Sequence, residues 1–289
     1  MLLLRGESQG NSSRPFITGV GALLVLVTVF IVVIGVVLCI FLETGLEDGK
    51  IGGIRMLDGI INDLTEAEAF YFNHNKIDIY SASWGPSDNG YSLDGPRILA
   101  SRAIEYGIKH GRNGNGNIYV FASGNGGGNY DSCAFDGYNQ SPYTISVSSV
   151  TSENNKPWYL EACSSTLVST FSTGDKGYDG ELFTTDLNHE CTNSVSGTSA
   201  SAPMVAAVIA LILEAAQSVN YNLSWRDVQH LLIISANPKF IKSHDWTRNG
   251  NDLIHSNLYG FGLIDAYKAT QRALTWKTVP KQIIRDYNV

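Results

Sequence analysis

From Lys50 onward, short runs rich in β-branched and aromatic residues alternate with longer segments whose apolar residues recur at helical spacing. This alternation constrains the fold more than any other feature. Residues 51–57 (IGGIRML), 77–84 (IDIYSASW), 117–125 (NIYVFASGN) and 143–150 (YTISVSSV) read as strands. Residues 62–72, 95–111, 224–236 and 262–274 read as helices, as does the apolar run after Ser199. Ser224 and Asp227 stand at capping-box spacing. Strands alternating with helices imply an α/β domain, with a mostly parallel sheet covered on both faces. Ligands of such sheets gather at the carboxyl ends of the strands. The loops after Trp84 and Ser123, and the one before Ser199, are therefore the candidate edge.

The stretch 19–42 carries no charge over 24 residues, enough for a helix to cross a bilayer. It lacks the short apolar region and small-residue cleavage site of a cleaved leader. Flanking basic residues nearly balance, and the reading leans to a cytosolic N-terminus with the globular part lumenal or extracellular. The net charge of −7 argues against a nucleic-acid binder, which would normally carry a basic patch. Of four cysteines, Cys39 lies in the apolar run. Cys133 and Cys163 could close a loop worth roughly 3–4 kcal/mol, leaving Cys191 without a partner. Two acceptor triplets, Asn139-Gln-Ser and Asn222-Leu-Ser, are compatible with an exported domain; Pro142 weakens the first.

The sequence SGTSASAP (196–203) places Ser199 among small residues at the mouth of an apolar helix. A serine hydroxyl needs a base to become a nucleophile, and helix-start N–H groups favour a developing oxyanion. Pro203 suits a first helical turn, where no N–H is required. An N-cap serine is the simpler reading of this segment alone. ASGNGGGN adds Asn125, whose carboxamide can donate to the same oxyanion.

Together SASWGP, ASGNGGG, DSCAFDGY, EACSSTL, GTSASAP, SWRDVQHL and YGFGLIDA resemble the kexin/furin-like proprotein convertases, a branch of the subtilisin-like serine endopeptidases. The resemblance covers about residues 50–278. It implies a subtilisin-like sheet flanked by helices, with Ser199 as nucleophile and Asn125 in the oxyanion hole. It implies cleavage after paired basic residues, with Asp88 and Asp136 facing the P1 arginine, since a guanidinium suits two-pronged carboxylate contact. Ser83, Trp84 and Gly85 match the substrate-binding wall, and Glu66, Asp94 and Tyr138 match positions serving more distant basic side chains. Asp88, Asp131 and Glu161 match a Ca2+ site, and Cys133–Cys163 a disulfide. Ser87 and Ile60 stand where acidic residues are frequent, and Phe135 where a cysteine is.

A subtilisin-like triad runs Asp, His, Ser along the chain. Neither a DDG-like nor an HGT-like motif precedes the matched segment. None of the six histidines, His74, His110, His189, His230, His244 and His255, is followed by Gly-Thr. The resemblance therefore implies an N-terminally truncated peptidase domain with unpaired strand edges and no efficient turnover on its own. The expected organisation is a tail (1–18), one transmembrane helix (19–42), a partial peptidase domain (43–275) and the start of a β-rich P domain (276–289). Expected partners are proprotein or peptide substrates with basic motifs, an inhibitory pro-segment and a membrane. The alternative is a tethered pseudoprotease that binds basic peptides without cutting.

Overall fold

The computed structural model describes residues 1–5, 50–175, 179–186, 188 and 190–284. The apolar run 19–42, Cys39 and His189 lie outside the described residues. The order is β1 (Leu2–Arg5), β2 (Lys50–Gly53), α1 (Asp63–Tyr71), β3 (Ile79–Ala82), α2 (Ile98–His110), β4 (Ile118–Ala122), β5 (Thr144–Val150) and β6 (Thr166–Phe171). Then come β7 (Leu182–Thr185), β8 (Cys191–Val195), α3 (Thr198–Ser218), α4 (Trp225–Ser235), β9 (Thr247–Arg248), β10 (Ile254–His255) and α5 (Ala266–Ala273).

The main sheet runs β2-β1-β3-β4-β5-β6, with β3 to β6 parallel. Side chains alternate across it with the period of two that a pleat imposes. Ile79, Ile118, Val120, Ile145, Val147 and Val168 point to a layer built from α3, α4 and α5. Tyr80, Tyr119 and Phe121 point to the opposite layer, where Phe70 of α1 and Ala100, Ala103 and Ile104 of α2 meet them. Burial on both faces explains why Ile118–Ala122 reads as an unbroken apolar run, while the serines of β5 are buried as well. Among the described residues, α3 is the one helix long and apolar enough to cross a membrane. Its burial between the sheet, α4 and α5 accounts for that composition.

The edge expected to be open beside β3 is paired. β1 inserts antiparallel between β2 and β3, with Leu2 opposite Gly53 and Ser81, and Leu4 opposite Ile51 and Ile79. The Met1 ammonium donates to the Ile54 carbonyl at 3.3 Å, and burial lowers its pKa to about 6.

Several boundaries shift for local reasons. α5 begins at Ala266 because the Asp265 carboxylate accepts from the Lys268 N–H at 2.8 Å. At α4 the expected capping box is present: the Ser224 hydroxyl accepts from Asp227 N, and Asp227 Oδ2 accepts from Ser224 N. The helix after Ser199 starts at Thr198, so Pro203 is its sixth residue and lies beyond the first turn. That corrects the expected placement of Pro203. Its missing N–H leaves the Ser199 carbonyl without an i+4 donor, and the Ser83 hydroxyl supplies one at 3.0 Å.

The Cys133–Cys163 disulfide joins the loop after β4 to the one before β6 with a Cα–Cα distance of 5.4 Å. Cys191 is an exposed free thiol on β8. Arg112, buried, donates to Asp78 Oδ1 at 3.0 Å and to the Gly116 and Leu223 carbonyls at 3.1 Å. It thereby ties the entrances of β3 and β4 to the α3–α4 connection.

Candidate active site

The site collects at the carboxyl ends of β3 and β4 and the N-terminus of α3. Gly197 caps α3 with φ +84°, and a Cβ there would stand 2.9 Å from Asn125 Oδ1. The left-handed backbone and the close approach both require glycine. Asn125 Oδ1 accepts from the Thr198 N–H at 2.8 Å and the Thr198 hydroxyl at 3.1 Å. Its oxygen is thus committed, and its Nδ2 has no hydrogen-bond partner among the described residues. Ser199 follows Thr198 directly. A positive helix end and a carboxamide N–H2 are donors of the kind that a tetrahedral oxyanion needs, and the bonds to Thr198 hold both near the residue that precedes Ser199. Thr198, which fixes the amide, was missed in the sequence, although the residue before a candidate nucleophile was in view.

The Ser199 hydroxyl has no hydrogen bond to a histidine among the described residues. His74 and His110 pack around Tyr106 on the α1–α2 surface, with ring centroids at 5.1 and 4.4 Å. His255 packs edge-on against Phe261. Burial lowers the pKa of both His230 and His255.

A small cleft next to Gly124 is lined by Ser87, Asp88, Asp131, Asp136 and Glu161, among others. Asp88 and Asp136, the expected arginine-facing pair, therefore open onto one surface. Asp136 is held from behind: its Oδ1 accepts from Tyr138 N at 2.7 Å, and Asn139 Nδ2 donates to Oδ2. Burial raises its pKa against those bonds. A Cβ on Gly85 would lie 3.1 Å from Asp136 Oδ2, so Gly85 gives that carboxylate its room.

The outer positions fall into two kinds. Tyr138 is a core residue whose ring stacks on Phe121 at 5.2 Å and meets Trp84 edge-on at 5.1 Å. Its hydroxyl donates to Glu66 Oε2 at 2.6 Å. Burial, above all, raises the pKa of Glu66 and also of Tyr138. Trp84 also packs on Phe70 and is half-buried. Asp94 is exposed, and its segment pairs with that of Asp136 as an isolated parallel bridge. Ser83 touches the site through the Ser199 carbonyl, as described.

Asp88, Asp131 and Glu161 bring one carboxylate oxygen each to within 4.8 Å of one another. Oxygen ligands lie 2.3–2.6 Å from a Ca2+ ion, so a single such ion can touch all three. Glu161 is buried and accepts from Gly126 N at 2.7 Å. Burial, then Asp88 and Asp131, raise its pKa to about 8. Gly90 N and Ser132 N brace Asp131, and Asn129 Nδ2 donates to the Asp88 carbonyl.

The family model described as the subtilase family matches residues 32–262. Proprotein convertase subtilisin/kexin type 6 of Rattus norvegicus is 54% identical over 235 residues, 81% of this chain and 24% of its own length. Furin-1 of Xenopus laevis is 51% identical over 81% of this chain and 29% of its own. The chain thus spans about a quarter of the length of these curated relatives. Among solved structures, a lanthipeptide protease aligns with a TM-score of 0.62 at 22% identity, covering 84% of this chain and 75% of that one. A serine protease of Aeromonas sobria, solved with its chaperone, aligns at 0.64 and 20%, covering 78% and 48%. These two likenesses concern the fold. Motif, site geometry and family match agree: the chain belongs to the subtilase family of serine endopeptidases, and within that family its sequence is similar to the proprotein convertases.

Proposed function

We propose that this chain carries the acyl-transfer and arginine-recognition half of a proprotein-processing endopeptidase. Ser199 is the nucleophile, Asn125 the oxyanion donor, and Asp88 with Asp136 the P1 pocket for substrates with paired basic residues. Glu66 and Asp94 serve basic side chains further out, and Tyr138 serves them through its hydroxyl, which donates to Glu66. The observation that carries this reading is the pairing of Ser199 with a carboxamide whose oxygen is committed to Thr198, beside a cleft lined by Asp88 and Asp136. Peptide cleavage would join Ser199 Oγ to the scissile carbonyl carbon, expel the amine and regenerate the serine with water. With no histidine bonded to Ser199 among the described residues, the chain alone turns over poorly, retaining what binding and the oxyanion donors supply.

Asp88, Asp131 and Glu161 would hold Ca2+, a choice that their hard oxygens and mutual spacing support. The ion would neutralise three carboxylates and fix the loops that carry the pocket. We further assign 19–42 to a single membrane crossing with the domain on the lumenal side of the secretory pathway, 43–275 to the peptidase domain and 276–289 to the entry of a β-rich domain. An inhibitory pro-segment would occupy the same acidic cleft as substrate.

The test is hydrolysis of an Arg-Arg fluorogenic peptide with and without Ser199→Ala. Weak or absent turnover is expected, and robust turnover abolished by the substitution refutes the poor-turnover reading. A second reading, capture of basic peptides without cleavage, is favoured by an acidic cleft beside a serine with no bonded histidine among the described residues. Both readings require that Asp88→Asn with Asp136→Asn weaken binding of a basic peptide; unchanged affinity removes the pocket assignment.

A further inference from the structure

The two acceptor triplets have opposite fates in the fold. Asn139 is 1% exposed, and its Nδ2 donates both protons, to the Ala122 carbonyl at 3.0 Å and to Asp136 Oδ2. A sugar on that nitrogen would remove one of those protons and force bulk into the core. Asn222 is exposed, in the connection between α3 and α4. Its carboxamide has no hydrogen-bond partner among the described residues. The connection around it is held firmly. Asn220 takes a left-handed φ of +57°, Tyr221 N donates to the Ala216 carbonyl at 2.9 Å, and Leu223 is buried.

We propose that Asn222 is an N-glycosylation acceptor and that Asn139 is not. The co-reactant is a lipid-pyrophosphate-linked oligosaccharide. Asn222 Nδ2 forms a C–N bond to the anomeric carbon, the anomeric C–O bond breaks, and one amide proton is lost as the lipid pyrophosphate departs. The acceptor triplet requires the hydroxyl of its third residue. In the fold the Ser224 hydroxyl is engaged by Asp227, donating to Oδ2 at 2.6 Å and accepting from Asp227 N at 3.2 Å. Transfer therefore precedes closure of the capping box. The 21 residues of α3 put roughly 30 Å between Asn222 and Ser199, so the glycan stands clear of the acidic cleft.

The proposal rests on the lumenal placement of the domain, and the experiment separates the two. The full chain is expressed in cells with an N-glycosylating secretory pathway, and its mobility is compared before and after peptide-N-glycosidase. One glycosidase-sensitive step is expected. Asn222→Gln and Ser224→Ala should abolish it, Ser224→Thr should keep it, and Ser141→Ala, which spoils the other triplet while leaving Asn139 in place, should not change it. Asn251→Ser, which completes a triplet at exposed Asn249, is the control for lumenal entry. A glycan at Asn249 with none at Asn222 overturns the proposal and leaves the placement standing. No glycan at either position overturns both. A shift lost in Ser141→Ala overturns the discrimination between the triplets.

Discussion

Replacing Asp227 with alanine should be one of the most damaging single changes away from the candidate active site. The carboxylate is fully buried and accepts five hydrogen bonds. Two come from Ser224, at 2.8 Å from N and 2.6 Å from Oγ. Three come from the C-terminal segment: Trp276 Nε1 at 2.9 Å, Thr278 Oγ1 at 3.0 Å and Val279 N at 2.8 Å. Losing the capping box costs about 1 kcal/mol. The three C-terminal donors lose a charged acceptor, but their segment lies at the surface and can turn to water, which limits the loss to about 1 kcal/mol apiece. The total is about 3–4 kcal/mol, or roughly 10 °C in Tm for a domain of this size. Burial opposes ionisation of Asp227, but the combined bonds outweigh it and hold its pKa below the ordinary value. A carboxyl depressed on folding contributes stability above its unfolded pKa and loses it as pH falls through the folded one. The gap between parent and variant should therefore be full at neutral pH and narrow below about pH 4. Thermal melts across pH give the first readout, and tryptic cutting after the exposed Lys277 and Lys281 gives the second. A variant melting within about 1 °C of the parent at neutral pH, with Lys277 cut no faster, would refute the reasoning.

Calcium should stabilise the chain: with a Kd of about 0.1 mM, 5 mM ion contributes about 2 kcal/mol over chelator, and Glu161→Gln should erase the rise in Tm. Gly197→Ala should cost about 1–2 kcal/mol from its left-handed backbone and push Asn125 off Thr198, lowering Tm and any residual Ser199-dependent hydrolysis together. If single crossing of a bilayer by 19–42 is correct, Leu4→Cys with Ile51→Cys, which are paired in the described sheet, should not crosslink in isolated membranes. Quantitative crosslinking there excludes the crossing.

What could be read from the sequence was local or carried by a motif. Ser224 and Asp227 announce their capping box because both partners lie within four residues. Asp88, Asp131, Asp136 and Glu161 came from matched segments, and the fold gathers them at one cleft. The features that escaped depend on distant partners. The Asn125–Thr198 bond spans 73 residues. β6 was missed, and its buried Ser169 is satisfied by the Tyr259 carbonyl, 90 residues away, a partner that no local pattern shows. β1 has four residues and no periodicity to detect; its pairing partners, Lys50–Gly53 and Ile79–Ser81, lie far along the chain. Pro203 misled because a proline in SASAP looks like a helix start, whereas the positive φ of Gly197 sets the start five residues earlier.

The pairing of β1 bears directly on how the chain meets a membrane. Arg5 lies opposite Lys50, and neighbouring strands sit about 4.8 Å apart. A single crossing by the intervening segment would place those same two residues on opposite sides of a hydrocarbon layer about 30 Å thick. The two arrangements exclude each other, so in a tethered chain Leu2–Arg5 must leave the sheet. Vacating that slot leaves facing edges on β2 and β3, with backbone donors and acceptors that an occupant of the slot must satisfy. Since β3 is buried along its whole length, water is a poor substitute there, and the loss falls on the strand whose end carries Ser83 and Trp84. Membrane insertion and integrity of the candidate active site are thus thermodynamically linked: whatever fills the slot between β2 and β3 stabilises the cleft, and crossing the bilayer removes the chain's own candidate for that role.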